Sequence, residues 1–468
     1  MNNFKHLHKQ YSNNIAFITD IGESLTYSDL HSFSIQIKSY VTERSLVFSL
    51  CTNSLGSVCG YYAFISNETV PLLLDASIDK ELLTDLIRAY EPNYLWIPNE
   101  LTHIFPNSIV SFSKYGYSLV IWNETKVKLF SQLGLLLTTS GSTGSPKLVR
   151  LSYENIFSNA ISIATYLKIN KEERPITSLP MHYTYGLSVI NSHLISGSTI
   201  LLTDKSITQK EFWNFAKNEM ASSFAGVPYT YEMLRKLRFF RMNLPHLKTL
   251  TQAGGKLSAD LVKEYVENSI EKGIKFIVMY GQVEATARMS YLPFNFATTK
   301  YASIGIAIPG GSFKIFDYKN VEINEPNIDG ELVYYGKNVS LGYALNKDDL
   351  KKSDFNNGIL HTGDIARRDT DGFFYITGRK NRFIKIYGNR VNLDNAEQII
   401  KTITTDCACV GVDDHMTIYV TDESITNEVL NLISSKTGLN KIAFFVKTVR
   451  EIPKNSSGKI QYSLLETK

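Results

Sequence analysis

The chain has 468 residues and a formal net charge of +4, and 43% of its residues are hydrophobic. This composition can fill globular cores, and so small a charge gives no general argument for binding nucleic acid or an anionic membrane. The cysteines are too few and too scattered for a disulfide framework or a zinc site. We expect reduced thiols in the core at Cys51, Cys59, Cys407 and Cys409.

The N-terminal region predicts neither a signal peptide nor a membrane anchor. Residues 1–14 lack the apolar run of a signal peptide. Residues 45–67 carry no charge and have the length of a membrane span, but polar residues and glycines interrupt them. We interpret this stretch as a buried strand, a turn and a core helix, and we expect a cytoplasmic protein without membrane insertion.

Further along the chain, short β-rich runs alternate with helical stretches. The runs are 46–51, 70–74, 94–97, 198–202 and 276–279, and the clearest helical patterns are 79–90 and 258–272. Such alternation favours an α/β fold with parallel sheets covered by helices. From about residue 303 the pattern changes to strands separated by Gly, Asn and Asp turns, which predicts a β-barrel-like subdomain. After Gly378, a basic stretch leads into about 90 residues that predict a small α+β unit.

The stretch "TSGSTGSPK", residues 139–147, is a loop composed almost entirely of Gly, Ser, Thr, Pro and Lys. Backbone N–H groups, hydroxyls and a lysine in such a loop suit phosphate oxygens, although a solvated hairpin turn has the same composition. The spacing excludes a Walker A loop, and no GxGxxG follows a strand.

The order of residues in this loop resembles the signature of the adenylate-forming superfamily, which includes acyl-CoA synthetases, peptide-synthetase adenylation domains and luciferases. Four further stretches follow in the family's order: "MYGQVEAT" (279–286), "HTGD" (361–364), "GRKNRFIKIYGNRV" (378–391) and "PKNSSGKI" (453–460). The resemblance implies an N-terminal domain, 1–378, that binds ATP and acid, and a mobile C-terminal domain, 379–468. It also implies that a carboxylic acid attacks the α-phosphate of ATP, releasing pyrophosphate, and that the acyl group then passes to a thiol.

The resemblance assigns the nucleotide contacts residue by residue. It implies phosphate contacts from the loop, Mg²⁺ on Glu284 with Thr139, adenine stacking on Tyr280, backbone approach at Gly281, and ribose binding by Asp364 and Arg379. One departure is Val283, which stands where the family usually has Thr. The full set of implied ATP-binding residues is Thr139, Ser140, Gly141, Ser142, Thr143, Gly144, Lys147, Gly254, Gly255, Tyr280, Gly281, Asp364 and Arg379.

The C-terminal motifs carry the implied catalytic groups. Lys459 matches the catalytic lysine, whose ammonium can bridge the acid carboxylate and the α-phosphate. Asn381 matches the hinge of the mobile domain, and Lys385 matches a residue presented for the thioester step. The basic residues and aromatics of 379–390 also raise the alternative of a nucleic-acid patch, which we disfavour.

The acid pocket is expected around the stretch 179–194. Family members often have His at the position of Tyr183, whereas here His182 precedes it, so the register of that contact is open. Amino-acid-activating relatives carry an Asp where this chain has Gly186, so we expect an acid without a free α-amino group. Gly226 completes the predicted substrate-binding set.

Several functions remain open after these motifs. Coenzyme A is the default thiol, with ATP and Mg²⁺ as the other cofactors. A separate acyl carrier protein is the alternative acceptor, and a stand-alone adenylation enzyme would use neither. From another class, Val283 gives some support to a nucleotide-binding homologue that has lost catalysis, whereas intact Glu284, Asp364 and Lys459 argue against it.

Overall fold

The structure is a computed structural model and describes residues 3–106, 108–138, 147–380, 382–387, 389–454 and 460–466. The strands in these ranges are β1 (Ile15–Thr19), β2 (Ser24–Thr26), β3 (Leu46–Cys51), β4 (Val70–Asp75), β5 (Tyr94–Pro98), β6 (Ile109–Lys114), β7 (Tyr117–Ile121), β8 (Leu133–Thr138), β9 (Leu148–Ser152), β10 (Pro175–Ile176), β11 (Ile200–Leu202), β12 (Ser223–Gly226), β13 (Thr249–Gln252), β14 (Lys275–Tyr280), β15 (Ser290–Tyr291), β16 (Ile306–Ala307), β17 (Gly311–Phe316), β18 (Gly330–Gly336), β19 (Tyr343–Ala344), β20 (Ile359–Arg368), β21 (Phe374–Arg379), β22 (Phe383–Ile386), β23 (Asn389–Asn392), β24 (Cys407–Val412), β25 (His415–Val420) and β26 (Phe444–Thr448).

The α-helices in the same ranges are α1 (Leu7–Tyr11), α2 (Tyr27–Lys38), α3 (Leu55–Ser66), α4 (Lys80–Tyr90), α5 (Tyr153–Leu167), α6 (Thr184–Leu194), α7 (Lys210–Asn218), α8 (Pro228–Lys236), α9 (Ala259–Glu271), α10 (Leu393–Ile400), α11 (Thr426–Thr437) and α12 (Ser463–Glu466). Short 3₁₀ segments span Asn3–His6, Asn99–Ile104, Phe239–Arg241, Val283–Ala285, Phe294–Phe296, Lys347–Lys351, Glu423–Ile425 and Lys441–Ala443.

The chain divides into two compact units. Among the described residues, the first unit contains 3–138, 147–312 and 335–360, and the second contains 313–334 and the chain from residue 361 onward. The domain boundary expected after Gly378 falls inside β21, and its position stays a prediction.

Two large sheets build the first unit. One has nine strands in the order β16-β15-β14-β13-β12-β10-β11-β1-β2, and the other has eight in the order β19-β9-β8-β4-β3-β5-β7-β6. The strands at the centre of each sheet run parallel, for example β12, β13 and β14 in one and β3, β4 and β5 in the other. Helices alternate with these strands along the chain, so the predicted α/β class with parallel sheets is confirmed.

The uncharged stretch 45–67 forms β3, a turn and α3, as predicted. Every residue of β3 and of α3 is buried, and α3 packs beside β3 and β4. This strand and helix are therefore uniformly apolar because both are enclosed by protein. No helix within the described ranges has the length and apolar character needed to cross a membrane.

The second unit contains three smaller sheets. Four strands, β17, β18, β20 and β21, form one sheet, β22 and β23 form a ribbon, and β24, β25 and β26 form the third. Helices α10 and α11 pack with the third sheet around a separate apolar core. Cys407 and Cys409 lie in this core, and all four cysteines are free and buried, as predicted. Burial raises the pKa of the Cys407 thiol to about 12.

Candidate functional site

The phosphate-loop motif connects two antiparallel strands at their ends. Thr138 of β8 pairs with Leu148 of β9, so residues 139–147 form the connection between them. Its predicted phosphate ligands Thr139, Ser140, Gly141, Ser142, Thr143 and Gly144 lie outside the described residues. Ser152 and Asn155 then form a reciprocal capping box that starts α5 directly after β9. Strand β9 and helix α5 are thereby fixed in succession.

Tyr343 contacts both Lys147, at the end of this motif, and the predicted metal ligand Glu284. The Lys147 Nζ lies 3.4 Å from the centre of the Tyr343 ring, and the Tyr343 hydroxyl donates a hydrogen bond of 2.8 Å to Glu284 Oε1. Burial, and then the charge of Glu284, raises the pKa of Tyr343, so the hydroxyl keeps its proton and acts as a donor. The tyrosine orients the carboxylate and offers the ammonium a π face.

Glu284 lies in a tight turn that follows β14. A Cβ atom on Gly281 would come within 1.5 Å of the carbonyl oxygen of Ala287, so only glycine permits this approach. The sequence-based reason for Gly281 was close contact with a nucleotide, and the structure adds a requirement from the protein's own backbone. Tyr280, the last residue of β14, is half-buried directly before the turn.

The structure shows how Val283 and the nearby Thr286 are engaged where the family usually has a threonine. Val283 packs against the main apolar core of the first unit. The nearby Thr286 is buried, and its hydroxyl donates a 2.7 Å hydrogen bond to the carbonyl of Asn338. Thr286 is therefore engaged in the fold and does not supply the hydroxyl that Val283 lacks.

The residues predicted for the acid pocket come together in part. Gly254 follows β13 with φ of 83°, and a Cβ there would lie 2.5 Å from the Tyr183 hydroxyl and 3.0 Å from Val227. Tyr183 belongs to an apolar cluster that includes Tyr185, Val227 and Ala253, and burial raises its pKa to about 12. Gly226 is the last residue of β12 and pairs with Gln252 of β13. Tyr183, Gly254 and Gly226 thus meet near the carboxyl ends of parallel strands, where α/β folds bind ligands.

Gly255 lies beside this cluster. A Cβ on Gly255 would lie 3.1 Å from the Pro228 ring, and the Gly255 carbonyl accepts a 2.9 Å hydrogen bond from the Gln252 side chain. The Gly254–Gly255 pair is thereby fixed between β13 and the start of α8.

His182 lies next to Asp75, the last residue of β4. Its Nε2 is 3.6 Å from Asp75 Oδ2, and its buried Nδ1 has no hydrogen-bond partner within the described residues. Burial lowers the pKa of His182, and Asp75 partly opposes that shift. A neutral imidazole with one unsatisfied nitrogen is suited to binding a polar ligand atom.

Gly186 is fixed by its neighbours. A Cβ at this position in α6 would lie 2.3 Å from the carbonyl oxygen of Pro180. The helix can therefore lie against the 179–180 backbone only when this residue is glycine. An aspartate at this position is excluded by space as well as by sequence.

Asp364 and Arg379 face each other in the second unit. They are partners in the register of the antiparallel pair β20 and β21, and Arg379 Nε lies 3.4 Å from Asp364 Oδ1. The side chain of Asp364 is buried, whereas that of Arg379 is largely exposed. The two residues predicted to bind ribose therefore lie side by side on adjacent strands.

The C-terminal candidates are only partly covered. Asn381 and Lys459 lie outside the described residues. Lys385 is exposed on β22, and its backbone N–H donates a 2.7 Å hydrogen bond to Asp413. Lys454 and Ile460 pair across the ends of the segment that contains Lys459.

A buried network connects the residue after position 381 with a residue just beyond Lys459. Arg382 stacks over Tyr462 at 3.7 Å and donates hydrogen bonds to Asp394 and Glu397. The Tyr462 hydroxyl also donates to Glu397, at 3.1 Å. Arg382 and Tyr462 had no predicted role, because their contact depends on a carboxylate from α10.

Tyr343 is the main residue that the motifs missed. It is separated from Glu284 by 59 residues and lies outside all five motifs. Within the described residues, no group of three or more His, Cys, Asp or Glu side chains is arranged to hold a metal ion. The single carboxylate of Glu284 still fits Mg²⁺ that arrives with ATP, because such ions take most ligands from phosphate and water.

The fold of this chain is also found in solved structures of enzymes with a bound acyl-adenylate or ATP. The o-succinylbenzoate CoA synthetase (MenE) of Bacillus subtilis, in complex with the acyl-adenylate intermediate OSB-AMP, aligns with a TM-score of 0.79 and 20% identity, covering 99% of this chain and 98% of that one. ATP-bound MatB of Rhodopseudomonas palustris aligns with a TM-score of 0.81 and 21% identity, covering 100% and 98%.

The sequence comparisons then identify the family. The family model described as AMP-binding enzyme matches residues 4–344, and the chain belongs to this family. The 2-succinylbenzoate–CoA ligase of Bacillus pumilus is 28% identical over 348 residues, which are 72% of this chain and 69% of the relative. The ligase of the same name from Bacillus cereus is 27% identical over 337 residues, 69% and 68%. The predicted superfamily and ligase class are confirmed.

The turn at Gly281 generates a prediction about stability. Gly281→Ala should lower the free energy of unfolding by about 3 kcal/mol or more, because the new methyl group collides with backbone rather than with a movable side chain. The midpoint of urea unfolding measures this. Gly255→Ala is the matched control, since its Cβ meets only the Pro228 ring at 3.1 Å. Equal midpoints for the two variants would contradict the assigned role of the turn.

Proposed function

We propose that this protein is an ATP-dependent ligase that joins a carboxylic acid to a thiol, with coenzyme A as the acceptor. The observation that carries the proposal is the contact of Tyr343 with both Lys147 and Glu284. A lysine from the phosphate-loop motif and a carboxylate from the next motif are held on one tyrosine. That pairing of positive charge and metal-binding carboxylate suits a triphosphate.

The first step couples acid activation to loss of pyrophosphate. An oxygen of the acid carboxylate attacks the α-phosphorus, and the bond from that phosphorus to the oxygen bridging to the β-phosphate breaks. Both reactants are anionic, so positive charge must offset their repulsion and the charge on the leaving pyrophosphate. Lys147 contributes part of that charge, and Glu284 would hold Mg²⁺, which would neutralise phosphate charge.

The remaining nucleotide and catalytic contacts follow the family resemblance. Asp364 accepts hydrogen bonds from the ribose hydroxyls. Arg379, whose Nε lies 3.4 Å from the Asp364 carboxylate, restrains that carboxylate, and this contact supports the role of Asp364. Tyr280 stacks on adenine. Lys459 bridges the acid carboxylate and the α-phosphate, where charge develops in the transition state.

The second step transfers the acyl group from the adenylate to the thiol sulfur, and AMP leaves. The similar ligases from Bacillus pumilus and Bacillus cereus are named for coenzyme A as acceptor, which supports the same thiol here. The exposed Lys385 serves this second orientation, and position 381 is the hinge. A carrier protein is the alternative acceptor.

The acid lacks an α-amino group. Gly186 has no room for the carboxylate that would pair with an ammonium, and burying that charge unpaired would cost several kcal/mol. The half-buried Tyr183 and the unsatisfied Nδ1 of His182 supply polar contacts instead. The acid in the relatives' names, 2-succinylbenzoate, belongs in the test panel. A cytoplasmic location stays a prediction from the sequence.

The deciding experiment measures acid-dependent pyrophosphate release over a panel of acids, with coenzyme A, with a pantetheinylated carrier protein, and with neither. Release that depends on a non-amino acid, with thioester product only when coenzyme A is present, supports the proposal. Thioester product that forms only with the carrier protein would identify the carrier protein as the acceptor. ATP binding without pyrophosphate release for any acid would identify a non-catalytic homologue.

Tyr343→Phe should raise the Mg²⁺ concentration needed for half-maximal adenylation by about 10-fold, because Glu284 loses the hydroxyl that orients it. The measurement is a Mg²⁺ titration of pyrophosphate release at saturating acid. Tyr318→Phe, at an exposed tyrosine of the second unit, is the control and should match the wild type. An unchanged Mg²⁺ dependence in Tyr343→Phe would remove Tyr343 from the site.

Lys459→Ala should slow adenylation by about 10²- to 10³-fold, the scale for losing one transition-state donor. ATP binding should persist, since Lys459 acts at the reacting centre. Pyrophosphate exchange and nucleotide titration measure the two effects. Lys454→Ala is the matched control, because Lys454 lies near the same segment and pairs with Asp406. Normal exchange in folded Lys459→Ala would rule out the assignment.

Lys385→Ala should impair thioester formation while sparing adenylation, because the resemblance places Lys385 in the second orientation only. Asn381→Pro should show the same asymmetry, since proline fixes φ at the hinge, provided that it locks the adenylating state. Pyrophosphate exchange and thioester product are measured in parallel, with Lys436→Ala on α11 as control. Equal losses in the two assays would argue against a two-orientation cycle.

A further inference from the structure

The first unit contains a buried arginine without a carboxylate partner. Arg288 is 2% exposed. Its Nε donates to the Ser188 hydroxyl at 3.1 Å, and its Nη1 donates to the Tyr166 hydroxyl at 3.2 Å. The guanidinium also lies 5.2 Å from the centre of the Tyr185 ring. Among the described residues, no Asp or Glu forms an ion pair with Arg288, so the contacts that hold this positive charge are all with neutral groups.

A second buried arginine shows how this protein satisfies such a group when its role is structural. Arg150 is 1% exposed, and all three of its nitrogens donate to backbone carbonyls. The acceptors are those of Tyr343, Lys352, Leu341 and Ser353. Arg288, in contrast, makes no hydrogen bond through Nη2 to any described residue. One end of its guanidinium therefore keeps two N–H donors for a further acceptor.

Arg288 lines a small cleft between α6 and the strands β10, β12 and β13. The cleft has about 20 Å³ of room for particles the size of a water molecule, enough for one monatomic ion. Ser223 and Thr249 line the same cleft, and hydroxyls of this kind can donate hydrogen bonds to an anion. The unused end of Arg288 thus has a space of defined size and further donors beside it.

This cleft is separate from the candidate acid pocket. Its lining includes Pro175, Ser223 and Thr249, the first residues of β10, β12 and β13. Gly226, at the end of β12 that carries the acid pocket, is three residues beyond Ser223, or about 10 Å at the usual rise of a strand. Gly226 and Tyr183 are not among the described residues that line the cleft. An occupant of the cleft is therefore not the acid that the proposed ligase activates.

The other titratable groups of the cleft do not neutralise Arg288. Burial lowers the pKa of His193 to about 4, and the charge of Arg288 adds to this shift, so the imidazole is neutral. Glu173 is engaged by Lys248 at 3.7 Å and by the Ser222 hydroxyl. Since the Glu173 charge is balanced by Lys248, the guanidinium remains the uncompensated charge of the cleft.

We propose that this cleft is a binding site for a small inorganic anion, with chloride as the expected ion and Arg288 as its principal ligand. A guanidinium stays charged in a protein interior, and leaving such a charge buried without a counter-ion is costly. A monatomic anion fits the available space, and it can accept from Nη2 and from the nearby hydroxyls. Sulfate or a carboxylic acid would be too large. The ion completes the charge balance of the first unit.

The first test measures the urea midpoint of unfolding in sodium chloride, sodium bromide and sodium gluconate at equal ionic strength. Gluconate is too large for the cleft. An ion that binds only the folded protein stabilises it by mass action. The wild-type midpoint in halide, relative to that in gluconate, should therefore increase with the logarithm of halide concentration above the dissociation constant.

Arg288→Met removes the charge and keeps an unbranched side chain, so this variant should lose the halide-specific part of the shift. Arg88→Met is the matched control, because the Arg88 side chain is 76% exposed, and it should behave as the wild type. The same difference between halide and gluconate in all three proteins would overturn the proposal, since only a general salt effect would remain.

The second test is a crystal structure of the wild-type protein grown in sodium bromide, with anomalous data to locate bromide. A peak at hydrogen-bond distance from Arg288 Nη2 is expected, and this result decides the matter even if Arg288→Met fails to fold. A cleft filled by water without an anomalous peak would overturn the proposal. A peak without any halide-specific change in stability would mean binding at crystal concentration only, which also overturns it. Neither measurement involves acid activation, so the outcome is independent of the proposed function.

Discussion

The approach of the Ala287 carbonyl to the Cα of Gly281 is the constraint on which the candidate site depends. A Cβ at position 281 would lie 1.5 Å from that carbonyl oxygen. The chain can therefore fold back on itself directly after β14 only when this residue is glycine. That reversal places Val283 against the core and Thr286 on the Asn338 carbonyl. Glu284, which precedes the end of this reversal, then lies beside Tyr343. Arg288, which follows it, lies in the interior.

Much of the fold was predictable because burial governs sequence pattern locally. The strand 46–51 and the helix that follows it were identified from apolar runs bounded by polar turn residues, and β3 has those bounds. Residues 198–202 were predicted as one strand, but this prediction was too long, because β11 begins only at Ile200. Ser198 instead donates its hydroxyl to the Asn170 carbonyl. Such a side-chain contact with a distant loop has no local signal in the sequence.

The candidate site was predictable where a motif carries its own geometry. Asp364 and Arg379 belong to two motifs joined by a hairpin, and antiparallel pairing brings them together. Tyr343 was not predictable, because β19 is brought to Glu284 by its pairing with β9 and by the hydrogen bond from the Ser340 N–H to the Glu284 carbonyl. The sequence-based reasons for two glycines were incomplete. Gly186 and Gly281 were interpreted through the ligand, whereas protein carbonyl groups already exclude a side chain at both positions.

The network of Arg382, Tyr462 and Glu397 joins two parts of the second unit that are distant in the sequence. Arg382 adjoins position 381, and Tyr462 comes three residues after position 459. Because both side chains bind the same buried Glu397, the chain at residue 382 and the chain at residue 462 are held against one carboxylate. If position 381 is the hinge that we propose, a rotation there would carry residues 460–462 together with Arg382.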